Sequence, residues 1–236
     1  MNIAGLQKMT LLDFPGKVAC TVFLQGCNFR CPFCHNSDLL PGQGEPLMDD
    51  TELLAFLQKR KGLLDGVCIT GGEPTLQPQL PSLMRRIKEL GYAVKLDTNG
   101  ARPQVLRELV EAGLVDYVAM DIKNSREEYP KTAGMNEALL PQVEESIRYL
   151  TSGAVPYEFR TTVVRELHSA RSVEAMGKWV CDLSQGVKPK RWYLQCYVDR
   201  ESVLRGGLSA PTREEMEEYF QILGPYTESI SLRGVD

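Results

Sequence analysis

Short apolar runs alternate with amphipathic runs along this 236-residue chain, and that alternation restricts the fold more than any other feature. Strands are expected at Val18–Gln25, Gly66–Thr70, Tyr92–Thr98, Asp116–Ile122, Tyr157–Val164 and Arg191–Val198, with a weaker candidate at Ser229–Arg233. Helices are expected at Asp50–Lys59, Leu80–Leu90, Pro103–Ala112, Glu137–Leu150, Ser172–Leu183 and Thr212–Leu223, the last opening with a capping box. The alternation predicts parallel strands joined by right-handed crossovers. About six units are too few for a closed barrel, so a partial, open barrel and a doubly wound sheet both fit.

Composition excludes several classes of protein. The net charge of −4 argues against a general nucleic-acid binder, which usually carries a basic surplus. No apolar run approaches the ~20 residues of a membrane-spanning helix. Residues Met1–Thr10 lack the charged-then-apolar layout of a secretory signal. The sequence therefore predicts a cytoplasmic protein with one domain over residues 1–236 and its core within 17–223.

Three of the seven cysteines, Cys27, Cys31 and Cys34, lie within eight residues and directly after the first predicted strand. In a reducing compartment such a cluster favours a metal site over disulfides. Thiolates bind soft metal centres, and a four-iron, four-sulfur cluster normally takes four protein ligands. This loop offers three, which leaves one iron open for chemistry.

A zinc site formed by three cysteines and His35 is the structural alternative. Neighbouring Cys34 and His35 diverge in direction, and no second CxxC pair is present, so this alternative fits poorly. The other histidine, His168, is expected on a surface loop. The remaining cysteines are expected to be small buried side chains: Cys20, Cys68, Cys181 and Cys196.

The second predicted strand ends in Gly71-Gly72-Glu73-Pro74. Two glycines would let the backbone approach a ligand closely and offer it N–H and C=O groups. Glu73 could add a charge-assisted bond to an ammonium group. A plain turn between strand and helix explains the glycine pair equally well.

Further polar groups follow the next strands. Asp97 ends an apolar strand and should be partly buried, so its carboxylate needs a partner. Asn99-Gly100 has the composition of an Asx turn. Asp121 and Lys123 are two residues apart and face the same side, which suits a site or a structural ion pair. Arg160, flanked by apolar residues, is expected to point at a carboxylate or phosphate.

These motifs together resemble the radical S-adenosylmethionine (SAM) superfamily, and the resemblance runs from Met1 to about Leu223. Within it, Cys31–Asn36 and Leu96–Gly100 resemble the activating enzymes of glycyl radical enzymes. The segment Leu12–Gly16 is most similar to activating proteins of anaerobic ribonucleoside-triphosphate reductase.

The resemblance implies an α/β fold, a partial (β/α)6 TIM-like barrel of parallel strands with outer helices. Cys27, Cys31 and Cys34 would hold the four-iron, four-sulfur cluster, and SAM would bind its open iron. The implied cofactor-binding residues are Phe33, His35, Gly71, Gly72, Glu73, Asp97, Asn99, Lys123 and Arg160. A monovalent cation would be held by Asp97, Thr98, Asp121 and the carbonyl of Ala119.

The resemblance also implies a reaction. An electron from flavodoxin or ferredoxin would enter the cluster and cleave SAM, and the resulting 5′-deoxyadenosyl radical would remove a glycine Cα hydrogen from a partner enzyme. Residues 36–66 contain no cysteine, which excludes the activating enzymes with inserted ferredoxin-like clusters. The segment Leu194–Asp199 contains no histidine, which argues against a pyruvate formate-lyase partner. A pyruvate formate-lyase type partner and a small-molecule or peptide substrate are the alternatives.

Overall fold

The computed structural model describes residues 1, 3–40 and 46–235. Over those residues, eight strands form one sheet: β1 (Ile3–Thr10), β2 (Ala19–Leu24), β3 (Gly66–Gly71), β4 (Ala93–Thr98), β5 (Tyr117–Asp121), β6 (Tyr157–Val163), β7 (Trp192–Cys196) and β8 (Ile230–Arg233). The same residues form seven α-helices: α1 (Asp50–Lys59), α2 (Leu80–Glu89), α3 (Pro103–Glu111), α4 (Tyr129–Ala133), α5 (Leu140–Thr151), α6 (Ala170–Leu183) and α7 (Arg213–Leu223).

The order of the strands decides between the two predicted sheet types. Neighbouring strands follow chain order from β1 to β8, with no reversal along the sheet. A doubly wound sheet requires such a reversal, whereas a barrel winds in one direction. The α/β partial-barrel class is therefore confirmed.

The first strand is the main departure from the predicted pattern. β1 pairs antiparallel with β2, whereas β2 and β3, β3 and β4, β6 and β7, and β7 and β8 pair in parallel. The residues of β1 are mostly half-buried or exposed, so its sequence lacks the continuous apolar run by which the buried strands are recognised. An antiparallel edge strand tolerates this composition because one face meets solvent.

The helices agree with the prediction to within a few residues, apart from two places. The run expected from Glu137 begins as a 3₁₀ turn, Glu137–Leu139, before α5 starts with a proline in its first turn. The short helix α4 was not predicted, and it ends at Gly134 in the left-handed conformation. The capping box of α7 is confirmed, since Glu215 N–H donates to Thr212 Oγ1 at 3.2 Å.

The chain divides into two compact units. The first unit contains Met1–Asn28, Asp38–Thr98 and Gln104–Ala119; the second contains Phe29–Ser37, Asn99–Pro103 and Met120–Asp236. Over the described residues, no helix combines the length and apolar character needed to cross a membrane. The single domain expected from the sequence stays a prediction.

Candidate functional site

In the first unit, the glycine pair at the end of β3, Gly71 and Gly72, lies against the backbone that leads into the cysteine loop. Gly72 N–H donates to Leu24 O at 2.9 Å, and Glu73 N–H donates to Gly26 O at 2.7 Å. These two N–H groups are therefore not available to a ligand, contrary to one part of the sequence interpretation. A Cβ on Gly72 would lie 2.0 Å from Gly26 O, and Gly71 has a φ of +119°. Glycine is needed here because two backbones touch next to Cys27.

Glu73 is completely buried and connects this turn to the end of β4. Its Oε1 accepts from Thr75 N–H at 3.1 Å and from Thr98 Oγ1 at 2.8 Å. These bonds fix the carboxylate in one orientation, which a buried charge requires. The predicted residues Gly71–Glu73 and Thr98 are thus brought together within one unit.

Asp97 has the buried partner that its position demanded, and the sequence interpretation did not identify it. Lys95 Nζ is 2.6 Å from Asp97 Oδ1, and the Lys95 side chain is 1% exposed. Breaking such a buried pair from one side costs about 3–5 kcal/mol. A lysine two residues before Asp97 in an apolar strand was the available signal, because residues i and i+2 share a face.

In the second unit, Cys31 and Cys34 are joined by a tight turn, with Cys34 N–H donating to Cys31 O at 3.1 Å. The Cys31 thiol is 8% exposed and donates to Ala133 O at 3.4 Å. Gly134 packs against the same loop, because its Cβ would lie 2.1 Å from Arg30 O. The loop is therefore seated on the end of α4 by backbone contacts that allow no side chain.

The segment after β7, Tyr197–Arg205, binds the cysteine loop from within the same unit. His35 Nε2 is 2.6 Å from Val198 O, and the His35 ring stacks on Tyr197 at 5.6 Å between centroids. Ser202 Oγ donates to His35 O at 2.9 Å, and Arg205 N–H donates to the carbonyl of Pro32 at 3.0 Å. These contacts hold the loop, and nothing in the sequence pattern indicated that this segment would contact it.

Asp121, Lys123 and Arg160 form an ion triad in the second unit. Lys123 Nζ is 2.9 Å from Asp121 Oδ2, and Arg160 Nε is 3.0 Å from Asp121 Oδ1. Burial alone would raise the pKa of Asp121, but the two cations outweigh it and lower that pKa to about 2. The prediction that Arg160 points at a carboxylate is confirmed in this triad.

Lys123 also connects the triad to the cysteine loop. Its Nζ is 5.8 Å from the centre of the buried Phe33 ring, a cation–π arrangement. Burial by itself would lower the pKa of Lys123, yet Asp121 and the negative charge of a Cys31 thiolate raise it. The Lys123 ammonium is therefore held in its charged form next to the cysteine loop.

Two further residues of the second unit are now placed. Asn99 forms the predicted Asx turn, with Ala101 N–H donating to its Oδ1 at 3.0 Å. The expectation that His168 lies on a surface loop is wrong, since it is 5% exposed. Its Nδ1 accepts from Val164 N–H at 3.1 Å, and its Nε2 is 2.9 Å from Lys123 O. His168 thereby anchors the backbone of Lys123, and burial lowers the pKa of its ring.

The donor set of the cysteine loop fits an iron–sulfur cluster. All seven cysteines lie in the described ranges and none forms a disulfide. Cys27 belongs to the first unit, and Cys31 and Cys34 belong to the second. In neither unit do three or more His, Cys, Asp or Glu side chains of the described residues gather as a metal site. Thiolates on one short loop are the ligands that such a cluster takes.

A family model described as the radical SAM superfamily matches residues 21–169, which is more than half of the chain. The chain belongs to the radical SAM superfamily. As a radical SAM enzyme it uses a four-iron, four-sulfur cluster and S-adenosylmethionine. The matched range includes the three clustered cysteines and both polar turns.

Known proteins resemble this radical SAM enzyme to different extents. A protein of Methanocaldococcus jannaschii, provisionally named a glycyl-radical enzyme activating enzyme, is 31% identical over 99% of this chain and 96% of its own length. The pyruvate formate-lyase-activating enzyme of Clostridium pasteurianum is 35% identical over 52% of each chain. The SAM-bound crystal structure of Streptococcus suis SuiB has a TM-score of 0.68 at 12% identity, covering 91% of this chain and 52% of that one. The last likeness shows the fold alone.

Proposed function

We propose that this radical SAM enzyme activates a glycyl radical enzyme by removing a glycine Cα hydrogen from it, with anaerobic ribonucleoside-triphosphate reductase as the partner. The observation that carries the proposal is the relative with 31% identity, which matches over 99% of this chain and 96% of its own length. This match covers nearly the full length of both sequences, whereas the pyruvate formate-lyase-activating enzyme matches over about half of its length. The choice of the reductase rests on the segment Leu12–Gly16.

In this proposal, Cys27, Cys31 and Cys34 would hold the cluster, and SAM would bind at the position that the three cysteines leave open. With an electron from flavodoxin or ferredoxin, the bound group would supply the carbon radical that removes the glycine Cα hydrogen. The chain itself binds and orients the cofactor and excludes water from it.

The predicted charged residues suit the two charged groups of the methionyl end of SAM, its ammonium and its carboxylate. Glu73, fixed by threonine hydroxyl and amide groups, provides a buried negative charge for the methionyl ammonium. The carbonyl oxygens of Gly71 and Gly72 are also proposed to accept hydrogen bonds from the methionyl ammonium. Lys123 and Arg160 provide positive charge for the methionyl carboxylate, and Asp121 holds both of them in place.

The remaining predicted contacts are assigned to the nucleoside end of SAM. Phe33 offers a buried aromatic ring on the cysteine loop, and Asn99 lies at a buried Asx turn. His35 is given an indirect role, because its ring is engaged by the segment after β7. It therefore orients the loop that carries Phe33.

The experiment is an anaerobic activation assay. Reconstituted protein, SAM and dithionite are incubated with the candidate reductase, and the glycyl radical doublet is measured by electron paramagnetic resonance. A doublet on the reductase supports the proposal, provided that it is lost when the reductase glycine is replaced by alanine. Release of 5′-deoxyadenosine without a radical on any glycyl partner would overturn it in favour of a small-molecule or peptide substrate. The Cys31→Ala variant serves as the inactive control.

A further inference from the structure

A buried ion pair between Lys95 and Asp97 lies in the first unit and adds a positive charge next to a predicted cofactor-binding residue. Lys95 Nζ lies 2.6 Å from Asp97 Oδ1 and 3.9 Å from Cys68 Sγ. The Lys95 side chain is 1% exposed and that of Asp97 is 11% exposed. An ammonium group at this depth depends on the groups around it for its charge, and the Asp97 carboxylate is in direct contact.

The strand geometry explains how the two groups meet. Lys95 and Asp97 are separated by one residue on β4, so both side chains project to the same face. Cys68 on β3 is the register partner of Lys95, and its small side chain leaves room for the lysine stem. The ammonium is thus aimed along the strand at the next side chain, and Leu96 packs on the opposite face.

The family resemblance assigns the Asp97 carboxylate to a monovalent cation. We propose that Lys95 is a positioning residue whose ammonium takes the place of that cation. Cofactor binding then needs no metal cation beside Asp97. A metal ion at Asp97 Oδ1 would have to sit next to the ammonium, and two like charges in contact in a buried site repel strongly. The inference rests on the proposed function and on the part in SAM binding that the family resemblance implies for Asp97.

The test combines a truncation with chemical rescue. Lys95→Ala removes three methylene groups and the ammonium, which n-propylammonium replaces atom for atom, whereas n-propanol replaces the volume without the charge. SAM affinity is measured by equilibrium dialysis on reconstituted protein, together with iron content. Lys88→Ala is the matched control, because Lys88 Nζ makes a 2.7 Å ion pair with Asp116 in the same unit.

We expect Lys95→Ala to weaken SAM binding by about 10- to 100-fold, the range for loss of a charge-assisted hydrogen bond in a buried site. Iron content should stay at the wild-type value, n-propylammonium should restore affinity, and n-propanol should not. Unchanged affinity in Lys95→Ala, or equal rescue by both compounds, would overturn the inference.

Two further measurements distinguish a failure of the Lys95 inference from a failure of the role of Asp97. If Asp97→Asn leaves SAM affinity unchanged, the part in SAM binding that the resemblance implies for Asp97 is wrong, whatever Lys95 does. The wild-type protein is also titrated in sodium, potassium and tetramethylammonium chloride at equal ionic strength. Equal affinity in the three salts supports an internal cation, and a requirement for sodium or potassium overturns it, even if Lys95→Ala does not fold.

Discussion

Replacing Gly72 by alanine is the sharpest test of how the turn after β3 meets the cysteine loop. The added Cβ would lie 2.0 Å from Gly26 O, whereas ordinary contact begins at 3.4 Å, so one backbone must move by at least 1.4 Å (3.4 − 2.0). Overpacking of this kind costs about 1–3 kcal/mol. The movement also breaks the bonds from Gly72 N–H to Leu24 O and from Glu73 N–H to Gly26 O, each worth about 1 kcal/mol. The free energy of unfolding should therefore fall by roughly 3–5 kcal/mol.

The assay is urea unfolding of anaerobically purified protein, with thermal unfolding as a second measure. A loss of this size should lower the Tm by roughly 6–20 °C in a chain of this length. Iron content after reconstitution should fall as well, because Gly26 precedes Cys27 directly.

Gly206→Ala is the matched control, since a Cβ at Gly206 has no neighbour within 4 Å. Its stability should stay within about 1 kcal/mol of the wild type. If Gly72→Ala unfolds at the same urea concentration as Gly206→Ala, the argument from close backbone approach is refuted.

Three other predictions follow from the second unit. Because the folded pKa of Asp121 is about 2 and its ordinary value is 3.8, the triad's contribution of about 2 kcal/mol is present above pH 4 and lost as pH falls toward 2. Asp121→Asn should remove that acid dependence from urea midpoints, and an unchanged pH profile would contradict it. Cys31→Ala should abolish iron binding on reconstitution while Cys181→Ala retains it; full iron content in the former would disprove the ligand assignment. His35→Phe keeps a ring but loses the bond to Val198 O, so iron release to a chelator should be about 5- to 10-fold faster; a wild-type rate would count against the anchoring role.

Local patterns in the sequence predicted the framework of this protein well. Six strands and the ends of most helices follow from apolar runs, glycine stops and caps, which act over a few residues. The cysteine spacing predicted the kind of metal centre, because the chemistry of thiolates does not depend on the rest of the fold. β1 was not predicted, because an edge strand with exposed residues has no strong local pattern.

Contacts between residues far apart in the chain were decided by the tertiary structure. His168 has an ordinary loop sequence, yet contacts 45 residues away with Lys123 make it a buried anchor. His35 likewise contacts Val198, which lies 163 residues further along the chain in the segment after β7. The glycine pair at the end of β3 suited a ligand-binding turn and a plain turn equally well, and only the approach of a second backbone showed why a side chain is excluded there.

The sequence by itself determined the alternating elements, the three-cysteine loop and the polar residues at the strand ends, because each is encoded by residues close together in the chain. The tertiary structure alone decided which polar groups far apart in the chain neutralise one another. Charge pairing depends on distances between side chains from different strands and loops, as with Arg160 and Asp121, and the order of residues does not specify those distances.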